Sequence, residues 1–479
     1  MTPIRACLLL SSLAAAGVAQ AQSAATKDDS SLTWNGVTLY GIVDVGLQYL
    51  THGAAISDYF PAGTSSIIQK NSNASVTGLT PSNLSQSRIG LSGLEPLSFQ
   101  DVSFVFRLET FFNPQSGNLS DGLKSMVLNN GRPLNQQGTN VDTSVAGQLF
   151  AGAAYAGFSS PTYGSLTFGR HPTPAADGIA KYDPMGAAQA FSVIGFSGTA
   201  AGGGDTEDRR LDDSVKYTAK FGPVHVGALY QFNGANGASN TAEQGQLGLD
   251  FLGGGSVDAY YAKKKDAVSA SPLSQEQVAG LAGLCNPAPT VPPTASQCYS
   301  VSNSLSATIS DNTTYSLMAL YNFGAPKIFA GYENIKFENP NTPLPQGFIT
   351  IGGYQLAYVN NNAYGAVVNG VKVADNKTLQ VFWAGGKYAL TQNLEFTLAY
   401  YGYHQNAYAT GAESGCSTIV SSKCSGNLNA VSGLVDYRFT KRFDVYLGSM
   451  WSGVENGLAN GYTLNRDTIA TTAGLRFKF

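Results

Sequence analysis

The chain ends in TTAGLRFKF, residues 471–479, and this stretch alternates between two kinds of side chain. Odd-numbered residues from Thr471 to Phe479 share one face, which is largely apolar. The residues between them, which include Arg476 and Lys478, share the other face. A period of two is typical of a β-strand whose two faces meet different surroundings. The final segment therefore predicts a strand with one apolar and one charged face.

The same alternation recurs along the chain. Between Asp101 and Phe112, for example, apolar side chains alternate with a polar face that carries Arg107 and Glu109. This pattern predicts sixteen strands, at 37–50, 85–94, 99–112, 147–158, 164–171, 209–221, 224–233, 243–252, 256–266, 313–323, 327–338, 377–390, 393–406, 427–440, 442–454 and 468–479. An even number of strands, each about ten residues long, is what a tilted membrane-spanning barrel requires.

The connections between the predicted strands alternate between short and long. Leu94–Leu97 and Phe221–Pro223 are examples of the short turns, whereas the long connections include 113–146 and 267–312. Long unstructured connections argue against a compact soluble multi-sheet protein, which is the alternative interpretation. We therefore predict an all-β fold, a sixteen-stranded antiparallel transmembrane β-barrel with short turns at one end and long loops at the other. All strands are needed to close one sheet, so 22–479 form one barrel domain.

Composition excludes several classes of protein. The formal net charge is −3 and only 12% of the residues are charged, which offers no broad electrostatic surface for nucleic acid. Aromatic residues make up 11% of the chain, too many for a disordered protein. Beyond the N-terminal segment, no apolar run is long enough to predict a transmembrane helix.

The first 21 residues have the features of a signal peptide. Arg5 precedes an apolar stretch from Ala6 to Val18, and the sequence Ala19-Gln20-Ala21 has the form of a cleavage site. We expect the mature chain to begin at Gln22 and to be exported.

The cysteines fit an exported protein. Cys285 lies near Cys298 and Cys416 lies near Cys424, in stretches rich in Pro, Ser, Gly and Asn. In an oxidising compartment such pairs indicate local disulfides in long loops. Cys7 lies in the signal peptide. The four remaining cysteines allow three pairings, and proximity favours these two. A zinc site is the competing interpretation, but the sequence has no C-x-x-C spacing and its four His are scattered, so we expect neither a metal nor a cofactor.

Several stretches together resemble the general Gram-negative porins, especially those of the β-proteobacterial type. They are VTLYGIVD (37–44), SRIGLSG (87–93), GSLTFGR (164–170), AKYDPMG (180–186), DSVKY (213–217) and GLRFKF (474–479). The resemblance covers essentially the mature chain. It implies a trimer of barrels in the outer membrane of a Gram-negative bacterium, in contact with lipid and lipopolysaccharide. It also implies passive diffusion of small hydrophilic solutes, and a terminal Phe479 that resembles a barrel-assembly signal.

The resemblance also implies a constriction made by an inward-folded third loop, here 172–208. By that resemblance Asp183 is the leading candidate for an acid on this loop, and Asp177 is the second. Arg88 and Arg170 match arginines that the family carries on the opposite wall. Arg107 is added from strand alternation alone. These five residues are our predicted pore constriction, where facing charges and a narrow cross-section select solutes.

The chain departs from the family at two positions. Gly147 stands where an arginine is common before Gln-x-Phe, and Ile42 stands where some porins have a lysine. The loop tip, 187–198, is apolar and contains Phe191, Val193 and Ile194 but no acid. From this we expect weak ion selectivity and a less polar or wider constriction.

Two other functions are open to an outer-membrane barrel. The sequence has no H-E-x-x-H and no G-x-S-x-G, although His52 and His404 lie at predicted strand ends, where a carboxylate could orient them. We expect no enzyme activity. An outer-membrane barrel that binds a partner through its long loops, as an adhesion protein does, is the alternative function.

Overall fold

The computed structural model describes residues 32–53, 66–68, 74–120, 141–142, 149–200, 209–232, 241–251, 253–272, 305–338, 347–351, 354–360, 367–368, 371–372, 377–408, 424–459, 462 and 464–479. Sixteen antiparallel strands form a closed barrel in which each pairs with its neighbours in the chain. They are β1 (Val37–Leu50), β2 (Arg88–Pro96), β3 (Ser103–Phe111), β4 (Ala153–Ser160), β5 (Gly164–Pro172), β6 (Arg210–Phe221), β7 (Val224–Gln231), β8 (Ala242–Phe251), β9 (Gly255–Pro272), β10 (Leu305–Asn322), β11 (Pro326–Glu338), β12 (Lys377–Ala389), β13 (Leu394–Gln405), β14 (Gly426–Arg438), β15 (Phe443–Asn456) and β16 (Asp467–Lys478).

The barrel closes where the last strand pairs with the first. The register runs from Ile42 opposite Lys478 to Leu50 opposite Ala470. Next to the pair of Ile42 and Lys478, Gly41 and Phe479 exchange two backbone hydrogen bonds, of 2.9 and 3.1 Å. A side chain at position 41 would collide with the Phe479 ring, so this close approach requires a glycine.

The two faces of the sheet are inverted relative to a soluble protein. Large apolar side chains are exposed on the outside, among them Leu47, Leu247, Leu317, Leu398 and Leu447. Exposed aromatic residues gather at the short turns, among them Phe99, Tyr163, Phe221, Phe323 and Phe439. The inward face holds buried polar groups such as Glu109, Thr472 and Arg476. An apolar belt with an aromatic girdle around a polar interior is typical of outer-membrane barrels.

All sixteen predicted strands are present, most with ends that differ by only a few residues. The seven turns at one end of the barrel, the short-turn end, have at most six residues, as at 97–102. The glycines in them allow tight reversal, as at Gly222, whose φ is +60°. The largest difference is at β9 and β10, which extend to 18 residues each through a register shift between Lys264 and Ala267.

Short strands add to the barrel at the opposite, long-loop end. Val141–Asp142 pairs with β9, and Gly347–Ile351 pairs with Tyr354–Asn360, which also runs parallel to β10. Val367–Val368 and Val371–Lys372 form a separate hairpin. At the short-turn end, Thr33–Trp34 pairs with the start of β1.

The second strand of the barrel is interrupted. Residues 45–50 of β1 pair with Val76–Pro81, and residues 37–42 of β1 pair with β2. Residues 82–87, which connect these two partners, leave the sheet. We call 82–87 the inward turn. Ser82, Asn83 and Ser87 in it are fully buried, and Ser82 has a φ of +59°.

Helices are few and short among the residues that the structure describes. The helix α1 (Pro174–Tyr182) follows β5, and a 3-10 turn at Ile194–Phe196 leads into α2 (Ser197–Ala200). A second 3-10 turn occupies Gly457–Ala459. None of the helices in the described residues is long and apolar enough to cross a membrane.

Reduction of the disulfides is expected to leave the barrel intact. Cys424 is disulfide-bonded, while Cys285, Cys298 and Cys416 lie outside the described residues, so both pairings remain predictions. Closing such short loops stabilises by only about 2–3 kcal/mol, and locally. The mature protein treated with reductant should keep its heat-modifiable migration in gels. Loss of that migration on reduction alone would contradict this prediction.

Candidate functional site

The connection between β5 and β6 begins with a helix that the sequence encodes locally. Thr173 caps α1, because its hydroxyl oxygen accepts a 3.1 Å hydrogen bond from the Ala176 N–H. Pro174 occupies the first helical turn, where its missing N–H has no cost. Asp177, in the same turn, complements the helix dipole. We call residues 173–200 the lumen loop.

Polar contacts attach α1 to the inner wall. Lys181 Nζ lies 3.0 Å from Asp258 Oδ2 on β9, and the Tyr182 hydroxyl donates to the same carboxylate. On the other side, the Trp383 indole N–H on β12 donates to the backbone oxygen of Tyr182 at 3.0 Å. Because these partners belong to separate strands of the wall, the end of α1 is held from more than one side.

The tip of the lumen loop is held by an apolar core. Phe191, Val193 and Ile194 are fully buried and pack in one hydrophobic cluster with inward side chains of β9–β15, including Trp383 and Tyr446. The sequence led us to expect that these loop residues make the constriction less polar. The structure places them against the wall instead, because that part of the barrel interior is itself apolar.

Asp183, the leading candidate for a constriction acid, is only 1% exposed. Its carboxylate accepts hydrogen bonds from the Tyr401 hydroxyl at 2.6 Å and from the N–H groups of Met185 and Ala187 at 3.0 and 2.9 Å. Burial raises the pKa of Asp183, although these hydrogen bonds oppose the shift. The residue therefore shapes the loop and joins it to β13.

Asp177, the second candidate, forms an ion pair across the base of the loop. Its Oδ2 lies 2.7 Å from Lys216 Nζ, which also donates to the backbone oxygen of Pro172 at 2.8 Å. The charge of Asp177 is thus balanced by a neighbouring lysine on β6.

Arg88 and Arg107 meet on the wall, around one buried acid. Arg107 Nη2 lies 2.5 Å from Glu109 Oε2, and Arg88 Nε lies 3.6 Å from the same oxygen. Tyr40 bridges Arg107 and Glu109, since its hydroxyl accepts a hydrogen bond from Arg107 Nε at 2.6 Å and donates one to Glu109 at 3.0 Å. The structure therefore brings together two of the predicted arginines.

Arg170 extends this group, together with two arginines that the sequence analysis missed. Arg170 binds the backbone oxygen of Ala151 at 2.9 and 3.0 Å and Asp212 at 2.5 Å. Arg210 donates to the Gly152 oxygen at 3.1 Å and interacts electrostatically with Arg88, Arg170, Arg209 and Glu109. The guanidinium of Arg209 faces Gly195 of the lumen loop.

We call Arg88, Arg107, Arg170, Arg209 and Arg210 the arginine group. In the described part of the chain, its five positive charges lie beside two carboxylates, those of Glu109 and Asp212. Four of the arginines lie on β2, β3, β5 and β6, and Arg209 directly precedes β6, on the wall beside the base of the lumen loop. Charges of one sign that line a narrow passage set ion preference in channels.

The two histidines considered for catalysis have separate surroundings. His404 Nδ1 lies 2.8 Å from the side-chain oxygen of Asn427, an amide rather than a carboxylate. His52 Nδ1 lies 2.8 Å from the backbone oxygen of Asp467 and 3.8 Å from its carboxylate. Both positions are at the long-loop end of the barrel.

Known proteins of similar sequence are outer-membrane proteins. A family model described as Gram-negative porin matches residues 6–456. The outer membrane porin protein 32 of Delftia acidovorans is 25% identical over 333 residues, which cover 69% of each chain. An outer membrane porin protein of Bordetella pertussis is 28% identical over 203 residues, 41% of this chain and 43% of that one.

Solved structures share the fold. The anion-selective porin from Comamonas acidovorans superposes with a TM-score of 0.57 at 18% identity, covering 92% of this chain and 99% of that one. OmpT of Vibrio cholerae gives 0.52 at 14% identity, with 94% and 99% covered. The closed barrel, its apolar belt and the match to the family model over most of its length place this chain in the Gram-negative porin family, as an outer-membrane channel for passive diffusion.

Proposed function

We propose that the channel is narrowest between the lumen loop and the arginine group, and that it prefers small anionic solutes. The observation that carries this proposal is the separation of the two kinds of inner wall. The lumen loop packs on the apolar wall of β9–β15, whereas the arginine group lies on or next to β2, β3, β5 and β6. A solute that passes the loop therefore meets the basic wall.

This proposal differs from the weak selectivity expected from sequence. That expectation rested on the missing cations at Gly147 and Ile42 and on the apolar loop tip. Asp177 is paired with Lys216, and Asp183 is buried against Tyr401, so neither acid is paired with the arginine group. The name of a solved relative, an anion-selective porin, agrees with the proposed preference.

Planar-bilayer recording tests the proposal. The purified mature protein should give stepwise, ohmic current. In a KCl gradient, the reversal potential should lie closer to the equilibrium potential of chloride than to that of potassium. Channels with no preference, or with a preference for potassium, would refute the proposed constriction. Absence of any current steps would instead favour a barrel that binds partners through its loops.

We further propose that the chain works as a homotrimer, with lipid and lipopolysaccharide around its apolar belt. Exposed leucines and aromatic residues on the outer face could pack between barrels. One solved relative, OmpT of Vibrio cholerae, is described in a trimer form. Chemical cross-linking and light scattering in mild detergent should both report three chains. A particle that contains one chain by both methods would contradict the trimer.

A further inference from the structure

The inward turn is folded around a single carboxylate. Asp44 on β1 is fully buried, and its oxygens accept from the N–H groups of Asn83, Leu84 and Ser85, at 3.3, 2.9 and 2.8 Å. Three consecutive N–H groups that converge on an anion form a nest, a concave arrangement of the backbone that binds negative groups. The turn therefore depends on Asp44 for its shape.

The backbone of Asp44 fastens the two ends of the same turn. Its carbonyl oxygen accepts from the Ser82 N–H at 2.8 Å and from the Ser87 hydroxyl at 3.0 Å. The Ser87 hydroxyl oxygen also accepts from the Asp44 N–H at 2.9 Å. A residue on the first strand thus holds the whole break in the second strand.

The inward turn in turn receives the tip of the lumen loop. The Ala190 N–H donates to the backbone oxygen of Asn83 at 2.9 Å, and Gln189 donates to Gln86 at 2.5 Å. Tyr446 joins the two sides, since its hydroxyl donates to Asp44 at 2.5 Å and its ring packs edge-on against Phe191. These contacts hold the tip of the lumen loop, which lies away from α1.

We propose that Asp44 is a positioning residue of the channel, which fixes the tip of the lumen loop by holding the inward turn. The proposal rests on the proposed constriction, because the position of the tip determines the space that remains beside the arginine group. Asp44 does not need to contact the solute. Its loss releases the tip and leaves the barrel strands in place.

Thiol labelling measures release of the tip directly. Ser192 is buried in the tip, so Ser192→Cys should react slowly with a charged, membrane-impermeant methanethiosulfonate. Labelling of a buried thiol reports the population of the opened loop. Adding Asp44→Asn should speed labelling at least about tenfold, because hydrogen bonds to a charged group are lost. The protein without the Ser192→Cys change gives the background of the native cysteines.

Asp444→Asn is the matched control. Asp444 is equally buried and binds Arg476 at 2.9 Å, and Arg476 also donates to Ser85 of the inward turn at 2.7 Å. Within the described part of the chain, its own hydrogen bonds and ion pairs go to Arg476 and Lys478. Labelling of the thiol introduced by Ser192→Cys should not change when Asp444→Asn is added. Equal acceleration of labelling in both variants would indicate a general loss of charge balance and would overturn the proposal. An unchanged labelling rate with Asp44→Asn would also overturn it.

Gln189→Ala removes the hydrogen bond between the tip of the lumen loop and Gln86 of the inward turn. This variant tests the proposal even if the Asp44→Asn protein does not fold. It removes one neutral hydrogen bond and should speed labelling about fivefold. An unchanged rate would overturn the proposal.

In bilayers, Asp44→Asn should increase open-channel current noise and Asp444→Asn should not. Labelling needs no current, so a protein without channel activity would refute the proposed function and still test the role of Asp44.

Discussion

Arg88→Ser is expected to shift the reversal potential in a KCl gradient towards potassium. The arginine group loses one of five positive charges, and one unit charge at 4 Å in water is worth about 1 kcal/mol. This energy attracts chloride and repels potassium, so the permeability of each ion should change roughly fivefold, in opposite directions. Single-channel recording in a planar bilayer measures the ratio of chloride to potassium permeability. The shift should shrink as salt concentration rises, because salt screens the charge.

Lys220→Ser is the control for this measurement. Lys220 is also a cation on the barrel, but it lies next to the short-turn end with its side chain 61% exposed, paired with Asp250. Its removal changes the net charge of the chain equally and should leave the permeability ratio almost unchanged. If the two variants shift the ratio equally, selectivity follows total charge and the arginine group is not the constriction.

Glu109→Gln is expected to have the opposite effect on selectivity and a large effect on stability. Glu109 is 1% exposed and is the acid shared by Arg88 and Arg107, so its loss raises the net charge of the group. Chloride permeability should increase relative to potassium. Removing one partner of a buried ion pair costs about 3 kcal/mol, which should lower the temperature at which the barrel unfolds in heat-modifiability gels.

Glu338→Gln provides the comparison for stability. Glu338 also forms an ion pair, 2.6 Å from Lys336, but both side chains are more than one third exposed. An exposed pair contributes about 1 kcal/mol at most, so the unfolding temperature should barely move. Equal losses in the two variants would show that Glu109 is not held as a buried partner of the arginines.

The strands could be predicted because each is short, alternates with period two and ends in turn residues. The extensions of β9 and β10 were missed because both lie within 267–312, which was assigned to one long loop. The helix α1 was also missed, although Thr173-Pro174 followed by Asp177 is a recognisable helix start.

The site was only partly predictable. Arg88, Arg107 and Arg170 followed from resemblance and alternation, and they do lie in one group. Arg210 opens the sixth strand and Arg209 directly precedes it. Their place beside Arg170 depends on a register in which Arg210 faces Pro172. The burial of Asp183 depends on how the loop turns back after it, where Gly186 and Ala187 both have positive φ. Such contacts between distant segments leave no local pattern in a sequence.

The pairing of β16 with β1 also determines when this molecule can fold. The first and last strands of the barrel are 417 residues apart, counted from Leu50 to Asp467, and neither has its second partner until the other is present. Until then the sheet has two open edges, which attract other chains and cannot be left in hydrocarbon. Insertion therefore has to wait for the C-terminus, and the chain must be kept from aggregating over that whole interval. A truncation of the last strand should yield aggregate rather than a smaller barrel.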